Sequence, residues 1–280
     1  MLFRSVVQEF CNSYSGRFRY VFEAQQGKSY ALNTGIREAR GHVLAFLDDD
    51  VRVDPNWLQN LTGGLQDGDW SGAGGRIITD WTCSPPPWLS AGSRYAAGPL
   101  VAFHPQPDAG ELNEPPIGTN MAFRREMFEK YGGFRTDLGP CPYSEIRGED
   151  TEFGARLLRG GERLRYEPSA IVYHPVQPKR LNKRYFMAWW FDKARSEIRV
   201  FGAEPGTKYL VAGVPLYLLR RLAAWTVRWI FAVDPVQRFS NKLSAWMNLG
   251  EIVECFTQYS AGRKTAGNVP LEEGARRVSL

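Results

Sequence analysis

The segment Val43-Leu44-Ala45-Phe46-Leu47-Asp48-Asp49-Asp50 constrains the fold more than any other stretch of the chain. Its five consecutive apolar residues have the length and composition of a strand buried on both faces, as found inside an α/β sheet. Such a strand does not ordinarily run straight into three acids. Adjacent carboxylates repel one another, and a hard divalent cation completed by phosphate oxygens relieves that repulsion. On an extended chain alternate side chains share a side, so Asp48 and Asp50 can share one ligand while Asp49 faces elsewhere. A solvated acidic turn is the competing reading, and these residues alone leave both open. Ligands of open α/β sheets do gather at the carboxyl ends of strands.

The flanking pattern is consistent with such a sheet. Leu2, Phe3, Val6, Val7 and Phe10 stand at helical spacing, and Ser15-Gly16 is a stop. Arg19–Glu23 is expected as a short strand, followed by the turn Gln25–Lys28 and a helix from Ser29 to Arg40 that Gly41 ends. Asp54-Pro55 starts a helix over Asn56–Leu65, and Ser71–Thr79 is a glycine-rich strand. Alternation of this kind predicts parallel βαβ units. Residues 80–118 are rich in Trp, Pro and Gly and poor in regular pattern, which suits the wall of a substrate cleft. Gly118–Phe123 returns as a strand, and Arg124–Tyr131 is a short helix.

A second acidic group, Glu149-Asp150 with Glu152 nearby, opens a helix behind Gly148. Carboxylates in a first helical turn are ordinarily dipole-stabilising caps. Their pairing with a strand-end acidic group about a hundred residues earlier instead suggests a metal at one cluster and a general base at the other. Lys28 at a helix start adds charge to a dipole end that attracts phosphate. Arg163–Tyr166 and Ala170–Tyr173 are expected as two short strands, the second closed by His174-Pro175.

Composition sets the partners. The four cysteines have no CxxC spacing, so neither a disulfide framework nor a zinc site is expected. Met1–Phe10 lacks the apolar core of a cleavable signal, and a cytoplasmic location is the expectation. Residues 1–175 carry 18 Lys and Arg against 22 Asp and Glu, whereas residues 176–247 carry 13 against 4. The basic stretch is a separate feature with its own partner.

Taken together, GKSYALNTGIREARG, LAFLDDD with Pro55 and Trp57-Leu58, GTNMAFRREMFEKYGGF, GEDTEFGARLLRGG and the strand ending in His174 resemble the family 2 glycosyltransferases. That resemblance implies the GT-A fold, a Rossmann-like and mostly parallel sheet. It also implies inverting transfer of a sugar from a nucleotide-diphosphate donor to a saccharide or lipid-linked acceptor, in polysaccharide, glycolipid or glycoprotein assembly. Carried over by position, Asp48 and Asp50 hold Mg2+ or Mn2+ against the diphosphate, with His174 near the ion. Asp150 is the base, paired with Glu149. Lys28, Asn33 and Asp49 lie by the donor, and Asn120 and Arg147 by the sugar and acceptor. Family members begin with two further strands that have no counterpart here, so the expected fold is truncated at the amino terminus. A non-catalytic paralogue serving as a binding or scaffolding module is the alternative. A phosphatase of the haloacid-dehalogenase type is disfavoured by Arg52, where Thr or Val is wanted.

The expected organisation is a GT-A domain over 1–177, a helical, basic and aromatic appendage over 178–259, and a flexible tail over 260–280. No apolar run in the appendage spans a bilayer before Arg220 and Arg221 interrupt it. Arg221 and Arg228 share a helical face, and Trp225 and Trp229 are expected as interfacial aromatics on an anionic membrane, at the inner face of the cytoplasmic membrane. Nucleic acid is disfavoured, because the basic residues are dispersed among large apolar ones.

Overall fold

The computed structural model describes residues 2–14, 16–66, 69–90, 92–142, 146–203 and 209–267. The expected stop at Ser15, part of the Gly202–Gly206 loop and the tail from residue 268 lie outside the described residues. The chain divides into two units, Met1–Trp189 and Trp190–Leu280.

The first unit opens with α1 (Leu2–Ser13) and α2 (Lys28–Glu38). Arg19–Glu23 between them joins no ladder among the described residues, contrary to the strand expected there. Side chains hold it instead: Arg19 donates to the Glu38 carbonyl and Thr34 to the Glu23 carboxylate. Next come β1 (Val43–Leu47), β2 (Arg52–Val53), α3 (Trp57–Gly63) and β3 (Gly72–Asp80). The irregular segment holds only the short α4 (Arg94–Ala97) and β4 (Gly110–Leu112). It leads into β5 (Asn120–Arg124), α5 (Arg125–Tyr131), α6 (Glu149–Arg159) and β6 (Leu164–Pro175).

The sheet order is β1-β5-β3-β6-β2, with β4 also on β6. Among the described residues only the β3·β6 ladder of this sheet is parallel, and the expectation of a mostly parallel sheet is corrected to a mixed one. The reason is the path of the chain. The irregular segment leaves from the carboxyl end of β3, so β5 enters the sheet from that same end and must run back, antiparallel to both β1 and β3. The carboxyl ends of β1, β3 and β6 and the amino end of β5 therefore meet, with Leu47 opposite Asn120 and Thr79 opposite His174.

The two short strands expected over residues 163–173 are one strand with a register shift at Gly75/Arg76 of its β3 partner. Gly75 pairs with Glu167 and Arg76 with Ile171, which leaves Pro168–Ala170 bulged out of the ladder. The core beneath the sheet is aromatic: Phe128 and Phe153 stack at 4.6 Å, Phe123 meets Phe153 edge-on at 5.0 Å, and Phe46 and Phe134 complete the group. These rings tie β1, β5, α5 and α6 into one layer, so the helix bearing Glu149 is held against the strand that ends at Asp48.

The second unit contains most of α7 (Lys183–Phe201), the hairpin β7 (Leu210–Val211) and β8 (Val214–Pro215), α8 (Leu216–Phe231) and α9 (Pro235–Gly267). The last helix continues past Ser260, beyond the point where the tail was expected to begin. Buried Glu254 pairs with Arg195 at 3.2 Å and Arg199 at 2.6 Å, linking α9 to α7. Gly250 lies so close to the Phe191 carbonyl that a Cβ would sit 2.4 Å from it, which lets the two helices touch. All four cysteines are free.

Candidate active site

Where the strand ends converge, a chain of charges forms. Lys28, the first residue of α2, places its Nζ 3.2 Å from Asp48 Oδ1 and 3.3 Å from Glu149 Oε1. The two acidic clusters are thereby joined through one ammonium. Asp48 Oδ2 accepts a 2.7 Å hydrogen bond from Thr119 Oγ1, just before β5. Asp150 Oδ2 accepts from the Gly118 N–H at 2.7 Å, and its Oδ1 from the Thr151 N–H at 2.7 Å. Gly148 can start α6 here because its φ of 95° is left-handed. Opposite, Lys28 N–H donates to the Pro140 carbonyl and Ser29 Oγ to Leu138, pinning the loop before α6 onto α2.

Electrostatics follow from this geometry. Burial of the Lys28 ammonium works against its charge, but Glu149, Asp48 and Asp150 outweigh it and push its pKa above the ordinary lysine value. Burial would raise the Asp48 carboxyl, yet Lys28 and the Thr119 hydroxyl hold it below the usual range. Glu149 is only 4% exposed in its side chain, and burial followed by the charge of Asp150 raises it, with Lys28 opposing. Neighbouring carboxylates are thus driven in opposite directions, as at sites that move protons.

The rest of the acidic turn faces another way. Asp49 and Asp50 lie in a turn rather than an extended strand, and Asp48 and Asp50 both act on the charge of His174. Asp50 meets Arg180 Nη2 at 3.4 Å, Gln177 Nε2 at 3.5 Å and His174 Nε2 at 3.9 Å. His174 is buried, and burial lowers its pKa despite Asp50, keeping the imidazole neutral at pH 7. Its Nδ1 is buried without a hydrogen-bond partner. Two carboxylates beside a neutral imidazole suit a hard divalent cation in donor chemistry. Among the described residues, however, no group of three or more His, Cys, Asp or Glu side chains converges closely enough to enclose one.

Two expected substrate contacts have other work. Asn120 is fully buried, donating through Nδ2 to the Ala170 carbonyl at 2.8 Å and the Arg76 carbonyl at 3.0 Å, while its Oδ1 accepts from Trp57 Nε1 at 2.8 Å. It fills the gap that the β6 bulge opens in the ladder, with its amide oxygen and both amide hydrogens engaged by the protein. Gly75 must be glycine beside it, since a Cβ would lie 2.3 Å from Nδ2. Asn33 clamps the backbone of Phe134, donating to its carbonyl and accepting from its N–H at 2.8 Å each. Arg147 lies half-buried in the loop immediately before Gly148.

Two cavities adjoin the charges. One of about 170 Å³ is lined by Lys28, Asp48, Gly118, Met121 and Glu149. A wider groove of about 800 Å³ runs between α2 and β1 and is bordered by Lys28, Asp48 and Asp49. Sequence reasoning missed Thr119 and Gly118, whose polar groups hold Asp48 and Asp150, and Arg180 and Gln177 at Asp50. The signal for the first pair was their position at the head of a strand returning to the acidic turn.

Residues 3–132 match the family described as Glycosyl transferase family 2. Among curated relatives, the chain is 26% identical over 158 residues to the glucosyl-dolichyl phosphate glucuronosyltransferase of Haloferax volcanii, covering 55% of this chain and 49% of that protein. It is 28% identical over 174 residues to the succinoglycan biosynthesis protein ExoM of Rhizobium meliloti, covering 61% and 50%. The chain spans about half the length of these relatives. A crystal structure of GalNAc-T7 with UDP, GalNAc and Mn2+ superposes with a TM-score of 0.51 at 13% identity, covering 96% of this chain and 49% of that one. The likeness is one of fold, and the fold is GT-A.

Proposed function

We propose that the chain carries the catalytic site of an inverting glycosyltransferase that moves a hexosyl group from a nucleotide-diphosphate donor to a hydroxyl of a saccharide or lipid-linked acceptor. The observation that carries this reading is the Lys28 ammonium within 3.3 Å of both Asp48 and Glu149, which makes one site of two distant acidic groups. The groove of about 800 Å³ beside Lys28 and Asp49 is within the size range of small-molecule sites and accommodates a nucleotide donor.

Asp150 is the base. Two backbone N–H groups orient its carboxylate, and it takes the proton of the acceptor hydroxyl as that oxygen attacks the anomeric carbon. The new C–O bond forms on the face opposite the diphosphate, the old one breaks, and its electron pair leaves on the diphosphate, so the centre inverts. Lys28 contributes positive charge beside the donor groove. Arg147, in the loop before Asp150, faces the acceptor side. Asp48, Asp50 and His174 are the donors that would have to draw together around Mg2+ or Mn2+, and such an ion would supply charge against the leaving diphosphate. The enzyme works at the inner face of the cytoplasmic membrane, where lipid-linked acceptors are presented.

Titration calorimetry with UDP, with and without Mn2+, tests the donor site. Binding that needs Mn2+ and disappears in the Asp48→Ala, Asp50→Ala double variant is expected. Metal-independent binding, unchanged in the variant, would remove Asp48 and Asp50 from the site.

A further inference from the structure

The second unit presents a surface that the transfer chemistry does not use. In α8, Leu218 is fully buried and marks the inward direction. At 100° per residue, Trp225 and Trp229 fall on that inward side. Both are half-buried, and Lys242 of α9 lies 4.9 Å from the Trp229 ring. The two tryptophans thus lie on the inward side, away from the exposed stripe, and Trp229 meets α9 through Lys242. The outward side instead carries Ala223, Ala224, Val227, Ile230 and Phe231, all exposed, with Val233 just beyond the helix. Phe231 is 77% and Val233 95% exposed, values that single surface side chains of this size seldom reach together. Arg220 stands at the amino end of this stripe, and Arg221 and Arg228 flank one side of it.

We propose that this face of α8 docks onto an anionic phospholipid bilayer. The occupant follows from charge and shape together. Helix α8 holds three Arg and no acid, and residues 209–249 carry five basic residues against the single Asp234. Cations of one sign flanking exposed aliphatic and aromatic groups are the pattern of a helix lying in the headgroup layer. Among the described residues no helix is long and apolar enough to cross a membrane, so the helix lies on the surface. The hairpin before it adds Tyr209, Leu210 and Val211, each more than half exposed, at the amino end of α8. The flanking arginines reach headgroup phosphates while the stripe enters the acyl boundary. This inference gives the membrane location of the proposed enzyme its surface, and its test reads binding alone, so loss of transfer activity has no bearing on it.

The experiment is co-sedimentation of the full chain with vesicles of equal parts phosphatidylglycerol and phosphatidylcholine, and with phosphatidylcholine alone. Binding to the anionic vesicles that weakens with salt is expected, with little binding to the neutral ones. Arg221→Gln with Arg228→Gln should weaken it roughly thirty-fold, from about five-fold per arginine near an anionic surface. Val227→Ser with Phe231→Ser should release the protein as well. Both side chains are solvent-exposed, so circular dichroism should show an unchanged fold. Failure of the unaltered chain to bind anionic vesicles would overturn the proposal, as would binding that both double variants retain. A concentration-dependent dimer in sedimentation velocity that the serine variant dissolves would overturn it too, by assigning the face to a second copy.

Discussion

Two kinds of polar group meet at the strand ends, and they are used differently. Asn120 and Asn33 are neutral and spend their amide groups on backbone carbonyls, a backbone N–H and an indole. Lys28, Asp48, Glu149 and Asp150 are charged and are satisfied largely by one another and by N–H or O–H groups at the edge of a cavity. The amides close gaps in the scaffold. The charges stay beside open space, where a substrate can compete for them. A buried amide is costly to leave unmade, whereas a charged pair near a cleft can exchange partners.

The contrast can be broken or sharpened by substitution. Asp150→Asn should lower transfer by roughly 10³–10⁴-fold, the worth of a general base, with Mn2+-dependent UDP binding and thermal stability nearly unchanged. Equal loss of UDP binding would move Asp150 from the chemistry to the donor site. Asn120→Ala should act in the opposite way, costing about 3 kcal/mol in urea unfolding because Trp57 Nε1 and the Arg76 and Ala170 carbonyls all lose a partner. A stable Asn120→Ala protein with altered acceptor kinetics would restore its expected role at the substrate. Lys28→Met should reduce kcat/KM by about 100-fold, with unfolding free energy shifted by less than about 1 kcal/mol. A large stability loss instead would make Lys28 part of the scaffold. Asn33→Ala should cost about 1–2 kcal/mol, read by the same urea titration.

The smallest expected effect is a pH dependence outside the site. Hydrogen bonds from Lys130 and Ser71 hold Glu162 below its ordinary value of 4.5. The unfolded chain therefore takes up this proton first on acidification. The stabilisation is present above pH 4.5 and fades as the pH falls through the lower folded value. It amounts to no more than about 1 kcal/mol, and Glu162→Gln should flatten the melting temperature over that acid window. A variant profile parallel to that of the parent chain would show that Glu162 contributes nothing.

Much of the site was legible because its signals are local. A buried strand running into acids, a glycine before Glu149-Asp150 and a lysine at a helix start each announce themselves within a few residues. The sheet's mixed character was not legible, since the direction of β5 is set by where a long irregular segment re-enters. Asn120 resembles a ligand contact in sequence, standing beside the acids at a strand head. Only the bulge in β6, made by a distant part of the chain, turns it into a plug. Arg19–Glu23 has the composition of a strand but finds no ladder among the described residues. Trp225 and Trp229 have the character of membrane anchors, and only Leu218 shows which side of α8 faces in.

The irregular segment is fastened to the sheet by β3 before it, by Phe103 on Ile77 and β4 on β6 within it, and by β5 after it, and Gly118 at its far end gives Asp150 a backbone N–H. A Cβ at position 118 would lie 3.0 Å from Asp150 Oδ2, so this contact asks for glycine at one position and leaves the side chains between the anchors out of it. If this segment walls the substrate cleft, its side chains between those anchors can change over evolutionary time while the Asp150 carboxylate keeps its aim.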